Sequence, residues 1–128
     1  MKTLIKIKDI YRAISEWEVE LVRYHGITIN EGLLLSGLAE AESLTPTEIS
    51  NLLSLSFSNT SKVIRSCETK KLIYRIMDKF DRRRMYFAIT EKGIHKISNV
   101  DDFRLKGKQL TKDILNICLT PIETEDTN

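Results

Sequence analysis

Two short amphipathic segments, each with its own helix-start signal, follow one another closely in the middle of the chain. In "LTPTEISNLL", Thr45 occupies the N-cap position, Pro46 the first helical position, and Glu48 the position that closes a capping box. In "SLSFSNTSKVIRSCETKKL", either Ser56 or Ser58 can cap the helix. Two short helices joined by about three or four residues are typical of a helix-turn-helix. The pair therefore predicts this motif at the centre of the fold.

The second helix of the pair has two faces of different chemistry. Its inward positions are apolar or small: Thr60, Val63, Ile64 and Cys67. Its outward positions are polar or basic: Ser58, Asn59, Ser61, Lys62 and Arg65. Short hydrogen-bonding side chains suit base edges in the DNA major groove, whereas the core of a protein interface favours aromatic residues. We therefore predict a recognition helix that contacts double-stranded DNA.

Beyond this pair the apolar period changes from that of a helix to that of a strand. "LIYRIMDK" and "MYFAIT" both alternate, and "FDRRR" between them predicts the turn of a β-hairpin. Arg82, Arg83 and Arg84 stand at this turn, although folding gives no reason to place like charges together. Residues 62–86 hold nine basic and three acidic side chains in a chain of net charge +2. Such a segment is a candidate contact for a polyanion, with a solvated basic surface as the alternative.

Further helical patterns flank this centre. Residues 3–25 carry an apolar stripe at spacings of three and four, formed by Ile10, Ile14, Trp17, Leu21 and Tyr24. Thr28 and Glu31 have capping-box spacing and open another helix. Thr90 caps "EKGIHKIS", and residues 99–102 predict a break. The last helix, within "DDFRLKGKQLTKDILNICL", has an apolar face of Phe103, Leu110, Ile114 and Ile117.

Composition argues against several classes of protein. A chain of 128 residues with 41% hydrophobic and 30% charged side chains is typical of one globular domain. No apolar run approaches the ~20 residues of a membrane span and no signal-peptide core is visible, so we expect a cytoplasmic protein without a membrane partner. His25 and His95 have no metal-ligand spacing, and no glycine-rich phosphate loop occurs. We therefore predict no metal, no cofactor and no enzyme activity.

The two cysteines match no disulfide or metal framework. Cys67 and Cys118 both stand in apolar, helix-like contexts. We predict that both lie in the core, because an unpaired cysteine behaves as a small apolar residue. Whether either one has a redox role stays open.

The segment over residues 81–93, with "DRR", an alternating strand and "TEKG", resembles the wing of the MarR family of bacterial transcription regulators. "LSFSNTSKVIRSCETKKL" is similar to the recognition-helix pattern of that family, although Ser54 and Lys71 stand where glycine is frequent. The resemblance implies a mostly α winged helix-turn-helix with a small β-hairpin wing. It implies a single domain over residues 1–128, with a DNA-binding lobe over 28–98 and dimerisation helices over 1–27 and 99–122. We expect the acidic tail over 123–128 to fray.

The resemblance also implies a homodimer that binds a specific double-stranded DNA sequence, with two recognition helices in successive major grooves. Arg83 is expected to reach the minor groove or its phosphates. Asp81 is expected to orient that guanidinium through a bidentate pair. Further wing and phosphate contacts are expected from Thr45, Thr47, Arg82 and Arg84.

Two interpretations stay open at this stage. Three aromatic side chains of the first helix belong either to the core or to a pocket for a small-molecule effector: Tyr11, Trp17 and Tyr24. The alternative to a DNA-binding regulator is a protein-interaction module whose basic wing docks an acidic partner. The polar outward face of the recognition helix favours DNA over that alternative.

Overall fold

The computed structural model describes residues 2–81, 83–101 and 104–121, without the side chains of residues 101–108. In chain order the elements are α1 (Lys2–His25), α2 (Ile29–Glu40), α3 (Pro46–Leu53), α4 (Phe57–Thr69), β1 (Ile73–Met77), β2 (Met85–Ile89), α5 (Glu91–Asp101) and α6 (Arg104–Leu119). They divide into two compact units, the helical-pair unit (α1 and α6) and the winged-helix lobe (Ile27–Asp101). The predicted class, mostly α with a small β-hairpin, is confirmed. None of the described helices is long and apolar enough to cross a membrane.

The core of the winged-helix lobe is centred on α2. Leu34, Leu35 and Leu38 on this helix are almost completely buried, as are Ile49 on α3 and Phe87 on β2. α2 contacts α3, α4, α5 and β2, so most of the lobe packs around it. Burial of a large aliphatic or aromatic side chain contributes about 1.5–3 kcal/mol, which makes this cluster the main source of stability in the lobe.

Side-chain caps start the helices of the lobe where the sequence predicts them. The capping boxes of α2 and α3 are both complete, with each N-cap threonine and N3 glutamate exchanging two hydrogen bonds. At the start of α4, the Oγ of Ser56 accepts a hydrogen bond from the backbone N–H of Asn59 at 3.2 Å. Ser56 is therefore the cap of the recognition helix, and Ser58 lies on its exposed face.

A residue with left-handed backbone follows the last turn of both α3 and α4. Ser54 has φ +54° and Lys71 has φ +61°. In each case the next N–H bonds to a carbonyl five residues earlier, at 3.2 Å for Leu55 and 2.9 Å for Leu72, as in a Schellman motif. A Cβ in this conformation costs about 1–2 kcal/mol, which explains why glycine is preferred there. The two positions where an expected glycine is missing thus keep the conformation that glycine favours.

The two strands of the wing pair antiparallel, from Ile73 opposite Ile89 to Met77 opposite Met85. The predicted hairpin is therefore present. β2 also pairs with the segment before α3, because the N–H of Leu44 donates to the carbonyl of Phe87 at 3.0 Å and the reverse bond measures 2.8 Å. This bridge holds the N-terminus of α3 beside the wing.

Thr90 caps the start of α5, since its Oγ1 accepts the N–H of Gly93 at 3.0 Å. A Cβ on Gly93 would lie 2.3 Å from the carbonyl oxygen of Leu72, so this close approach requires glycine. The break predicted over residues 99–102 is wrong for 99–101, because α5 continues through Asp101. Val100, in the last turn of this helix, is half-buried.

In the helical-pair unit, α6 runs antiparallel to α1. The Nζ of Lys6 donates to the carbonyls of Cys118 and Thr120 at the C-terminal end of α6, where backbone oxygens lack helical partners. The predicted inward face of α6 is half-buried at Leu110, Ile114 and Ile117. Phe103, the fourth predicted member of this face, lies outside the described residues.

Two members of the predicted apolar stripe of α1 and one predicted core cysteine are exposed. Ile14 and Tyr24 are exposed, and so is Cys118 in the single chain. Tyr24 stands three residues after the buried Leu21, which turns it about 60° away from the buried direction. Cys118 follows Ile117, so it is turned by about 100° from the face that α6 directs inward.

Candidate nucleic-acid interface

The outward face of α4 is polar and open to solvent. All five side chains that the sequence places there are exposed: Ser58, Asn59, Ser61, Lys62 and Arg65. The opposite face is buried at Thr60, Ile64 and Cys67 and half-buried at Val63, as predicted. The sequence has no acidic residue from position 49 to position 67. This stretch of α4 therefore carries no charge that repels a phosphate.

Phe57 is a surface residue of α4 that sequence reasoning missed. It is the first residue of the helix, directly after the Ser56 cap, and it is 63% exposed. Recognition helices meet base edges with their N-terminal residues, and an apolar side chain there can contact a thymine methyl group. An aromatic residue directly after a helix cap was the available signal.

Two acids shape the tip of the wing. The Oδ1 of Asp78 accepts the N–H of Phe80 at 2.8 Å and that of Asp81 at 3.3 Å. The Oδ1 of Asp81 accepts the N–H of Arg83 at 3.0 Å, and the N–H of Asp78 donates to the carbonyl of Arg84 at 3.0 Å. Aspartate commonly organises turns through such bonds to nearby backbone. Asp78 and Asp81 therefore organise the loop that carries the basic residues of the tip.

Arg83 contacts Asp81, but in a different way from the prediction. Its Nε lies 3.3 Å from Oδ1, the same oxygen that accepts its backbone N–H, so one carboxylate oxygen serves both groups instead of the expected two-oxygen fork. The side chain of Arg83 is 94% exposed, and solvent weakens such a pair. The guanidinium thus stays accessible to an anion. Arg84 is also exposed, and Arg82 lies outside the described residues.

The N-terminus of α3 and the wing line one groove. Its walls are Thr45, Pro46, Thr47, Arg83, Arg84, Met85 and Tyr86. The structure therefore brings together four of the residues that the resemblance assigned to wing and phosphate contacts. The bridge between Leu44 and Phe87 explains their proximity. Hydroxyls at a helix N-terminus beside two arginines form a surface that suits an anion.

A buried carboxylate fixes the C-terminal half of α4. Glu31 on α2 is 2% exposed, and its two oxygens lie 2.9 and 2.8 Å from the Nζ of Lys70. The Oγ of Ser66 donates to the same carboxylate at 2.8 Å. Burial alone raises the pKa of Glu31, but hydrogen bonds from Lys70, Thr28 and Ser66 outweigh it and hold the pKa below its ordinary value of 4.5. This pairing could not be recognised from local spacing, because Glu31 and Lys70 stand 39 positions apart.

Cys67 lies beside this carboxylate, with its Sγ 3.9 Å from Oε2 of Glu31. Burial, reinforced by the charge of Glu31, raises the pKa of the Cys67 thiol to about 12. The prediction that Cys67 is a buried core residue is confirmed, and its thiol stays protonated at neutral pH. In the described part of the chain, no group of three or more His, Cys, Asp and Glu side chains could hold a metal ion.

A second ion pair joins the wing to the recognition helix. The Nη2 of Arg75 on β1 donates to Oε1 of Glu68 on α4 at 3.1 Å, and its guanidinium carbon lies 5.4 Å from the centre of the Phe87 ring. Both contacts hold the guanidinium between the acid of α4 and the face of the ring. Arg75 and Lys70 were counted in the basic segment from the sequence, but the structure uses both inside the lobe.

The three aromatic residues considered for an effector pocket lie in different surroundings. Trp17 is half-buried and lines a cleft between α1 and α6, together with Glu16, Glu20 and Asp113. Tyr11 and Tyr24 are largely exposed and do not line this cleft. An effector pocket formed by the three residues stays a prediction.

Several solved regulators share this fold. The chain is similar to S. aureus MepR in its complex with DNA, with TM-score 0.72 and 23% identity over 94% of this chain and 85% of the other. It is similar to Bordetella bronchiseptica BpsR, whose DNA binding is regulated by 6-hydroxynicotinic acid, with TM-score 0.72 and 15% identity over 94% and 89%. It is also similar to AbsC, a MarR family transcriptional regulator from Streptomyces coelicolor, with TM-score 0.69 and 20% identity over 98% of this chain and 82% of the other. No curated protein matches the chain significantly in sequence.

The helix-turn-helix, the hairpin wing and the flanking helices define a winged helix-turn-helix protein. Residues 25–84, which include α2, α3, α4, β1 and most of the wing tip, match the model of the MarR family. Over these residues the chain matches the MarR family, and its fold is that of MarR family regulators. The resemblance drawn from the wing and recognition-helix motifs is therefore confirmed.

Proposed function

We propose that the protein is a sequence-specific, double-stranded DNA-binding transcriptional regulator that acts as a homodimer. The observation that carries this proposal is the outward face of α4 from Ser58 to Arg65, which holds no acid and presents short hydrogen-bonding side chains followed by Lys62 and Arg65. The groove where Thr45 and Thr47 meet Arg83 and Arg84 supports it. Donors for base edges and cations for phosphates thus occur on one lobe.

The proposed roles follow from the chemistry of each surface. Ser58, Asn59 and Ser61 contact base edges in the major groove, because they lie near the N-terminus of α4. Lys62 and Arg65 extend this contact toward the sugar-phosphate backbone of the DNA. Arg83 enters the minor groove or contacts its phosphates. The protein acts by binding, and we assign it no catalytic step.

A homodimer is supported by the apolar surface of the helical-pair unit. In the single chain this unit exposes Leu4, Ile5, Ile7, Tyr11, Val19, Leu115 and Leu119. Apolar surface of this extent is typical of a protein interface. A second copy of the chain that covers it gives two recognition helices, which suits a two-part DNA site.

Modulation by a small ligand is a further part of the proposal. The cleft beside Trp17 is lined by the carboxylates of Glu16, Glu20 and Asp113. Such a lining favours a neutral or cationic compound over an anion, because a buried anion there is repelled. Isothermal titration with candidate compounds, in the presence and absence of DNA, measures whether ligand binding and DNA binding are coupled.

The DNA-binding function is tested by selecting duplexes from a randomised pool and measuring affinity against salt. If each subunit places about four cations on phosphates, affinity falls roughly 10³- to 10⁵-fold between about 50 and 200 mM salt. A pool without enrichment, together with a flat salt response, would contradict the proposal. That result would favour a protein-interaction module that docks an acidic partner.

Variants of the recognition helix and the wing test the residue assignments. Asn59→Ala or Lys62→Ala is expected to cost about 1–3 kcal/mol at the selected site and to relax sequence preference there. Arg83→Ala is expected to weaken specific and non-specific binding alike and to lower the salt slope by about one unit per lost contact. Lys112→Ala is the control, because Lys112 is an exposed lysine on α6, outside the lobe. It is expected to leave the affinity, the sequence preference and the salt slope unchanged. The same losses in the Lys112 variant would show that the effects arise from net charge alone.

A further inference from the structure

We propose that Phe80 is an apolar wedge that the wing inserts between stacked bases of the DNA minor groove. This inference rests on the DNA-binding function proposed above and adds a second mode of contact to it. Arg83 would attract the wing to the groove, whereas Phe80 would deform the duplex. The protein would then recognise how easily a base step opens as well as which bases it presents.

The exposure of Phe80 is the first observation. At 97% exposure, its side chain is the most exposed large apolar group among the described residues. Hairpin tips normally carry small or polar residues, and a phenylalanine in water gains nothing for folding. The hydrogen bonds of the tip join backbone N–H groups to carboxylates, so they place no group over the ring.

The backbone on both sides of Phe80 is held in place. Asp78 accepts the N–H groups of Phe80 and Asp81, and the N–H of Arg84 donates to the carbonyl of Asp81 at 3.0 Å. The bond from Asp78 to the carbonyl of Arg84 closes the loop at the end of the strands. Phe80 therefore projects from a hydrogen-bonded backbone segment, and little backbone entropy is lost when it inserts.

The charges around Phe80 identify the partner. Lys79, Arg83 and Arg84 are all exposed on the same tip. A ring surrounded by cations suits a surface that is anionic outside and apolar inside, and the phosphates and base stack of a duplex have this arrangement. Proteins that bind the minor groove combine Arg or Lys with apolar wedges such as phenylalanine, which unstack a base step and bend the DNA.

The test uses the full chain and a duplex selected by the wild-type protein. 2-Aminopurine replaces adenine at each position of the flanking minor-groove segments in turn, because its fluorescence rises when it is unstacked. We expect the wild type to raise the signal at one step in each half-site. Phe80→Ala is expected to abolish that rise and to weaken binding roughly 5- to 150-fold per inserted ring, with an unchanged salt slope because no charge is removed. Phe80→Leu keeps a wedge and is expected to retain most of the signal.

Tyr74→Ala is the matched control, since Tyr74 is an exposed aromatic residue on β1, away from the tip. It is expected to leave fluorescence and affinity unchanged. The wedge is wrong if bound wild type raises the signal at no position, if Phe80→Ala keeps the rise, or if Tyr74→Ala loses it equally. DNA binding by the wild type in those experiments would leave the proposed function standing. A wild-type protein that binds no duplex overturns both proposals, and capture of the wing by an acidic protein would then replace them.

Discussion

The winged-helix lobe and the helical-pair unit differ in how completely they bury their apolar side chains. Among the described residues, every fully buried apolar side chain except Leu21 lies in the lobe. The helical-pair unit instead leaves side chains such as Ile7 and Leu119 exposed in the single chain. The lobe thus has a core of its own, and its polar surface is available for a ligand. The helical pair has the surface expected of an element that a second copy completes.

The two cysteines make this comparison measurable, and they give the largest expected effect. Burial and the charge of Glu31 raise the pKa of Cys67 from 9.0 to about 12, which lowers its thiolate fraction by roughly 10³. In the Cys118→Ser variant, the rate of alkylation is expected to rise at least about 10³-fold when urea unfolds the chain. In Cys67→Ser, where the exposed Cys118 remains, the rise is expected to be far smaller. Equal acceleration of the two variants, measured by mass spectrometry, would contradict the difference in burial.

Two capping-box glutamates give a matched pair within the lobe. Glu31→Ala removes a buried acceptor for Lys70 and Ser66 and is expected to lower the free energy of unfolding by about 2–4 kcal/mol. Glu48→Ala removes the same capping position from an exposed site and is expected to cost about 0.5–1 kcal/mol. Urea denaturation measures both values. Equal costs would show that Glu31 acts as a helix cap alone and does not tie α2 to α4.

The helical-pair unit is tested by polar substitution of its exposed surface. Ile7→Ser on α1 is expected to raise the dissociation constant of the proposed dimer roughly 10- to 100-fold, because each subunit loses one aliphatic side chain that the proposed interface would cover. Ile94→Ser on α5 changes an equally apolar, exposed residue of the lobe and is expected to leave the dimer intact. Sedimentation velocity over a concentration series measures both. Dissociation by the Ile94 variant alone would place the interface on the lobe.

The left-handed residues at the ends of α3 and α4 give the smallest expected effect. Ser54→Gly and Lys71→Gly are each expected to raise the free energy of unfolding by up to about 1 kcal/mol, because glycine adopts φ near +60° without strain. Ser61→Gly, in the middle of α4, is expected to lower it by roughly 0.5 kcal/mol. Thermal unfolding compares the three variants. Destabilisation by all three would indicate that the turns carry no strain.

Local signals in the sequence determined most of the fold. The capping boxes at Thr28 and Thr45, the change of apolar period before β1 and the cap at Thr90 all act within a few residues. Such interactions can be recognised in a single sequence, since their partners stand at fixed spacings. The outward face of α4 followed for the same reason, because helical periodicity places Lys62 and Arg65 on the side away from the buried Cys67.

Tertiary structure alone decided which charges remain available and which residues meet. Lys70 and Arg75 count as free cations in the sequence, but the fold pairs them with Glu31 and Glu68. The groove between Thr45 and Arg83 exists because Leu44 pairs with Phe87, a contact between segments far apart in the chain. Spacing says nothing about such contacts, since they depend on how several elements pack around one core. The sequence by itself therefore determined the recognition helix and the wing, whereas packing decided how they are joined and which of their side chains remain exposed.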